Sequence, residues 1–189
     1  MEQTLTPEQS LALITDVMKR TRENIRRHHF IFLLWGWLLV TASLGWFILQ
    51  TATSFPYFFL PFPVCVAIGL IVSFIYRKRT GQGQLTYVDY FIRNLWTVLA
   101  VGFIAVVAVS LFQHIKPFSY ALILGAIGTM ITGLSMNFRP LMYGSIVFLL
   151  AAFICLALPT EYKVLVHGGA ILLGYVVPGY MLRGSKTSA

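Results

Sequence analysis

Polar and apolar positions divide this chain sharply at Phe30. Before it, residues 4–27 (TLTPEQSLALITDVMKRTRENIRR) carry a helical pattern: Leu11, Ile14, Val17, Met18 and Ile25 form a narrow apolar stripe. Asp16 and Arg20, Lys19 and Glu23, and Glu23 and Arg27 stand four residues apart on the other side, the spacing at which opposite charges pair on a helix. Thr6 suits an N-cap, Pro7 the first helical position, and Gln9 stands three residues after Thr6, as a capping box requires. A polar amphipathic helix is therefore predicted to lead into whatever follows.

After Phe30 the pattern changes to long apolar runs, at 30–49, 57–76, 90–113, 118–136, 140–158 and 162–182. Each is close to the ~20 residues a helix needs to cross a bilayer. The connections are short, and Pro56, Pro117, Pro140 and Pro159 fall at their edges, where a missing N–H costs a helix least. The predicted fold class is all-α: a polytopic membrane bundle over 30–183 with six transmembrane helices in three hairpins. A cytoplasmic or interfacial amphipathic helix (1–29) precedes it and a cytoplasmic tail (184–189) follows. Because the first apolar run comes late and is long enough to span, it is expected to be retained rather than cleaved as a signal peptide.

Composition agrees: 58% of residues are hydrophobic, 11% are charged and mean hydropathy is +0.78. The net charge of +8 would suggest nucleic acid in a soluble protein, but its placement points to a membrane and to no nucleic-acid partner. Twelve of the 14 Lys and Arg residues fall at one set of span ends, and only Lys116 and Lys163 at the other. The positive-inside rule then puts both termini in the cytoplasm of a multi-pass inner-membrane protein. Arg20, Arg26 and Arg27 are expected to meet anionic lipid at that surface, while Leu11, Ile14, Met18 and Ile25 face lipid, a partner or a second copy.

A repeat is visible in the apolar part. Moving 61 residues along matches Phe30, Ile31, Leu34, Trp35, Leu38 and Val40 to Phe91, Ile92, Leu95, Trp96, Leu99 and Val101. The shared pattern FIxxLWxxLxV suggests that the first two hairpins are parallel repeats; the third matches only loosely through LMYG at 141–144.

Residues able to carry chemistry are few, so no catalytic residue, cofactor or metal is assigned. His28 and His29 are adjacent, hence about 100° apart on a helix, and read as a membrane-boundary collar. His114 and His167 are predicted near the same outer surface, the minimum geometry for a bis-histidine haem or metal site. Ser145 and His167 evoke a serine protease dyad, yet at ~1.5 Å per residue their expected depths differ by roughly 15 Å, so the dyad is rejected. Thr41, Ser43, Thr129 and Thr132 are the candidates for a polar interior, and Pro178 and Gly179 are expected to end the sixth helix near the inner interface. Gly125, Gly128, Gly133, Gly168, Gly169 and Gly174 are candidate points of close helix approach. Cys65 and Cys155, inside apolar runs, read as small hydrophobes.

The segments FLLWGWLL (32–39), NFRPLMYGSIVF (137–148) and LLGYVVPGYMLR (172–183) resemble a family of small, uncharacterised bacterial integral membrane proteins of the kind frequent in Bacteroidota. That resemblance implies a six-span protein and no reaction. The leading expectation is a non-enzymatic accessory, scaffold or regulatory component. The alternatives are a transporter or channel for a small or hydrophobic solute and, more remotely, a haem or metal protein.

Overall fold

The computed structural model describes the backbone of residues 7–53, 56–79 and 87–184, and the side chains of residues 29–53, 56–79 and 87–182. The elements are α1 (Pro7–Ala52), α2 (Pro61–Arg79), α3 (Tyr87–Phe112), α4 (Phe118–Ser135), α5 (Arg139–Ala157), α6 (Lys163–Ile171), a π-helical turn (Leu172–Val176) and α7 (Val177–Gly184). No strand occurs among the described residues. Among the described residues six helical stretches are long and apolar enough to cross a membrane, at His29–Ala52, Pro61–Arg79, Tyr87–Phe112, Phe118–Ser135, Arg139–Ala157 and Lys163–Leu182. The chain is thus an all-α, multi-pass membrane protein, and its spans lie where the apolar runs put them.

The polar N-terminal segment and the first span form one helix of 46 residues. Neither Gly nor Pro occurs between Pro7 and Gly36, so nothing in the chain interrupts the hydrogen-bond ladder at the polar-to-apolar boundary. The side chains of Leu11, Ile14, Met18, Arg20, Ile25, Arg26 and Arg27, like Thr6 and the tail beyond Gly184, lie outside the described residues.

The six spans do not share burial equally. α1, α4, α5 and the composite sixth span supply nearly all of the main core, including Phe32, Leu122, Leu141, Phe148, Cys155, Tyr175 and Leu182. α2 packs on α1 and α3 on α4, with only 6% and 11% of their span residues buried, against 56% in the sixth span. Large apolar side chains such as Phe74, Val98, Ile104 and Leu111 are left exposed on them. In water such faces would drive aggregation; in hydrocarbon they cost nothing, which is why helix burial here follows packing rather than apolarity.

The first two hairpins are built by one device used twice. In the first, the Trp35 ring and Leu38 cover Gly69, where an added Cβ would come 3.0 Å from the indole, and the Trp35 Nε1–H donates to Ser73 Oγ at 3.2 Å. In the second, Trp96 and Leu99 cover Gly128, and the Trp96 Nε1–H donates to Thr132 Oγ1 at 3.2 Å. The tryptophan and leucine are related by the 61-residue offset, the glycine and the hydroxyl one turn later by 59, so the two units differ by two residues between their helices. Trp35→Phe and Trp96→Phe each remove one interhelical hydrogen bond while keeping a ring over the glycine. Each is expected to cost roughly 0.6 kcal/mol, the usual worth of such a bond between membrane helices. Equilibrium unfolding of the two variants in detergent checks this, and a loss confined to one of them would show that the clamps are not equivalent.

The sixth span departs from expectation. Pro178 does not end it; the helix runs on to Gly184. Proline has no N–H to give the carbonyl four residues back, that of Gly174, and the strain is absorbed by the π turn just before it, where the Val177 N–H reaches Leu172 O. The Gly174 carbonyl faces Gly144 of α5, the tightest contact made by any of the described glycines.

Candidate functional site

The buried polar pair Ser43 and His167 is the most chemically distinctive feature of the bundle. His167, on α6, is 6% exposed, and Ser43, on α1, is 1% exposed. They meet because Gly168 has no side chain: a Cβ there would stand 2.9 Å from Ser43 Cβ. Ser43 Oγ–H donates to its own helix at Leu39 O, 2.8 Å away, so the hydroxyl has only lone pairs left for His167 Nδ1 at 3.0 Å. The imidazole is therefore assigned with a proton on Nδ1, donating to serine.

An aromatic roof closes over this pair. The His167 ring lies 5.7 Å from Phe62 and 5.4 Å from Phe118, and Trp46 contacts Phe58, Phe62 and Phe118 edge to face at 5.2, 5.6 and 5.3 Å. The Trp46 Nε1–H is satisfied by Gln50 Oε1 at 2.8 Å. Lys116, between α3 and α4, places its Nζ 5.0 Å from the Trp46 ring and 4.8 Å from Phe58. Partial burial there holds its ammonium below the ordinary lysine range, while the two ring faces favour the charged form.

With the proton so assigned, this arrangement does not activate a nucleophile. A serine nucleophile needs a base to take its proton, whereas Ser43 gives its proton to a carbonyl and receives one from the imidazole. Ser145, the serine set aside on depth, donates to Met142 O at 2.7 Å and is in contact with Met130 Sδ rather than with His167. His114 is exposed in the α3–α4 connection at φ 55°. Among the described residues no three His, Cys, Asp or Glu side chains group as metal ligands would.

Of the polar-interior candidates, Ser43, Thr129 and Thr132 are buried. Thr132 also donates to Gly128 O at 2.6 Å, while the Thr129 hydroxyl has no partner. Thr41 is a correction: it is on the bundle surface, bonding Trp37 O and Leu38 O at 2.9 Å. Two residues along a helix is about 200° of rotation, so Thr41 and Ser43 must face opposite ways. Among the glycines, Gly169 meets nothing within 4 Å, and Gly144, whose LMYG segment suggested only a weak repeat, makes the tightest contact. Cys65 and Cys155 are both free thiols.

Sequence reasoning missed the pairing of Ser43 with His167, although one signal was present. A polar ring followed by two glycines inside an apolar run marks a place where another helix comes close enough to satisfy that ring. No protein-family model, curated protein or solved structure matches the chain, so nothing from a relative adds to this geometry.

Proposed function

We propose that this is a non-enzymatic protein of a bacterial inner membrane, with both termini cytoplasmic, that serves as an accessory, scaffold or regulatory component. The observation that carries this reading is the continuity of α1. The same helix that contains the amphipathic segment is, further along, a hub of the bundle, packed on α2, α6, the π turn and α7. A partner held on its N-terminal stripe would thereby be coupled to the membrane domain without a hinge, and Arg20, Arg26 and Arg27 would hold anionic lipid beside it.

The site chemistry supports this reading over an enzyme, because Ser43 and His167 satisfy each other rather than a substrate. Close packing by Gly128, Gly144, Gly168 and Gly174 through the middle of the bundle supports it over a solute pathway. The test is photocrosslinking in cells from residues 11, 14, 18 and 25, with 19 and 23 as controls on the opposite face. One discrete protein adduct from the stripe, absent from the controls, is expected. Adducts to lipid alone would overturn the proposal.

A further inference from the structure

One face of α1 holds an open groove of about 340 Å³, lined by Phe30, Leu33, Leu34, Trp37, Leu38 and Thr41. Helices α2 and α7 flank it. On one side Phe30 stacks on Tyr76 at 4.4 Å, Leu38 lies on Gly69 and Thr41 Oγ1 is 4.0 Å from Cys65 Sγ, all of α2. On the other, Leu33 lies on Gly179 and the Trp37 Nε1–H donates to Tyr180 Oη at 3.2 Å, both of α7. The single side-chain hydroxyl in the lining is turned onto its own helix backbone, so the groove offers an occupant almost nothing polar.

Its length and its ends identify the occupant. From Phe30 to Thr41 the helix rises roughly 16 Å, about the hydrocarbon depth of one leaflet of a ~30 Å core. At the Phe30 end, Tyr76 is followed at once by Arg77, Lys78 and Arg79, all exposed in the last turn of α2. The acidic residue of the next helix, Asp89, is buried on α3, which packs on α4. An apolar slot one leaflet deep with three cations at its mouth fits an acyl chain whose headgroup carries net negative charge.

We propose that this groove is a selective site for an anionic phospholipid of the adjoining leaflet: one acyl chain lies along α1 between α2 and α7, and the phosphate is held by Arg77, Lys78 and Arg79. The guanidinium groups give two-pronged hydrogen bonds to phosphate, and near a membrane surface each cation favours an anionic headgroup roughly fivefold. This site does not depend on a protein partner.

Trp37 lies in the groove and serves as the reporter. The full-length chain is reconstituted in nanodiscs holding graded fractions of phosphatidylglycerol or phosphatidylcholine with brominated acyl chains of the same length. The fluorescence lost between wild type and Trp37→Phe isolates the Trp37 signal. Brominated phosphatidylglycerol is expected to quench it at a several-fold lower fraction than brominated phosphatidylcholine. In the Arg77→Gln/Lys78→Gln/Arg79→Gln variant, which changes only exposed positions, the two lipids should become equivalent while both still quench. Equal quenching by the two lipids in wild type would overturn the proposal, as would a Trp37 shielded from both because a second copy of the chain covers the groove.

Discussion

Gly144→Ala is expected to cost the bundle about 3 kcal/mol or more, enough to abolish a folded species in mild detergent, while Gly169→Ala is expected to be neutral or slightly stabilising. Both replace glycine in a membrane helix by the best helix former, so propensity favours the substitution in each by roughly 0.5–1 kcal/mol. What differs is the space. An alanine Cβ at Gly144 would collide with the carbonyl oxygen of Gly174, with that residue's carbonyl carbon at 2.9 Å and its Cα at 3.0 Å. These are backbone atoms, so no rotamer change relieves the clash, and α5 would have to move off the sixth span. Overpacking a core usually costs ~1–3 kcal/mol, and a clash between two backbones belongs at the top of that range or beyond it.

The contact is also reciprocal, because a Cβ on Gly174 would come 2.6 Å from the Gly144 carbonyl oxygen. Each glycine thus presents a Cα–H to the other's carbonyl, a weak hydrogen bond that recurs where membrane helices cross closely. At Gly169 no atom lies within 4 Å. Thermal unfolding and size-exclusion profiles of the two variants in one detergent provide the comparison. Wild-type behaviour of Gly144→Ala would mean that α5 and the sixth span do not touch as described.

Why Gly144 and not Gly169 could not be read from the chain follows from the solvent. In a water-soluble helix the polar face marks the outside, and the apolar stripe fixes how the helix is turned toward its neighbours. Within these spans nearly every face is apolar, so length and the flanking prolines locate a helix but nothing phases it. That is why the spans and hairpins were legible, yet Thr41 and Ser43 could not be told apart and the exposed faces of α2 and α3 could not be foreseen. The exception is instructive: FIxxLW at Phe30 and Phe91 carried phase, because its tryptophans carry an N–H that must find a partner hydroxyl on the facing helix. Polar atoms inside an apolar run are the legible part of such a sequence. The π turn was not legible, since Pro178 alone permits a kink, a stop or a shifted ladder.

Ser43→Ala is the second large expected effect, about 1–2 kcal/mol of lost stability, and its size should depend on what stands at position 167. With alanine at 43, the His167 Nδ1–H loses its acceptor inside a ring of Phe62 and Phe118, and a buried donor left without a partner costs ~1–3 kcal/mol. Hydrogen bonds between membrane helices average nearer ~0.6 kcal/mol with a maximum near ~1.7, because an unfolded helix in lipid also finds partners, so the middle of the combined range is expected. In a His167→Phe background that orphan donor is gone. Ser43 remains satisfied by Leu39 O, and its removal should then cost only a few tenths of a kcal/mol. Equilibrium unfolding of the two single variants and the double variant closes a cycle whose coupling is expected near 1 kcal/mol. Equal costs of Ser43→Ala in the two backgrounds would show that the pair is not bonded. Ser43, 1% exposed and with its proton on a backbone carbonyl, should also stay unlabelled by a fluorophosphonate that modifies activated serines. Labelling at Ser43 would show that the imidazole accepts the serine proton, which would replace the structural assignment of this pair with a catalytic one.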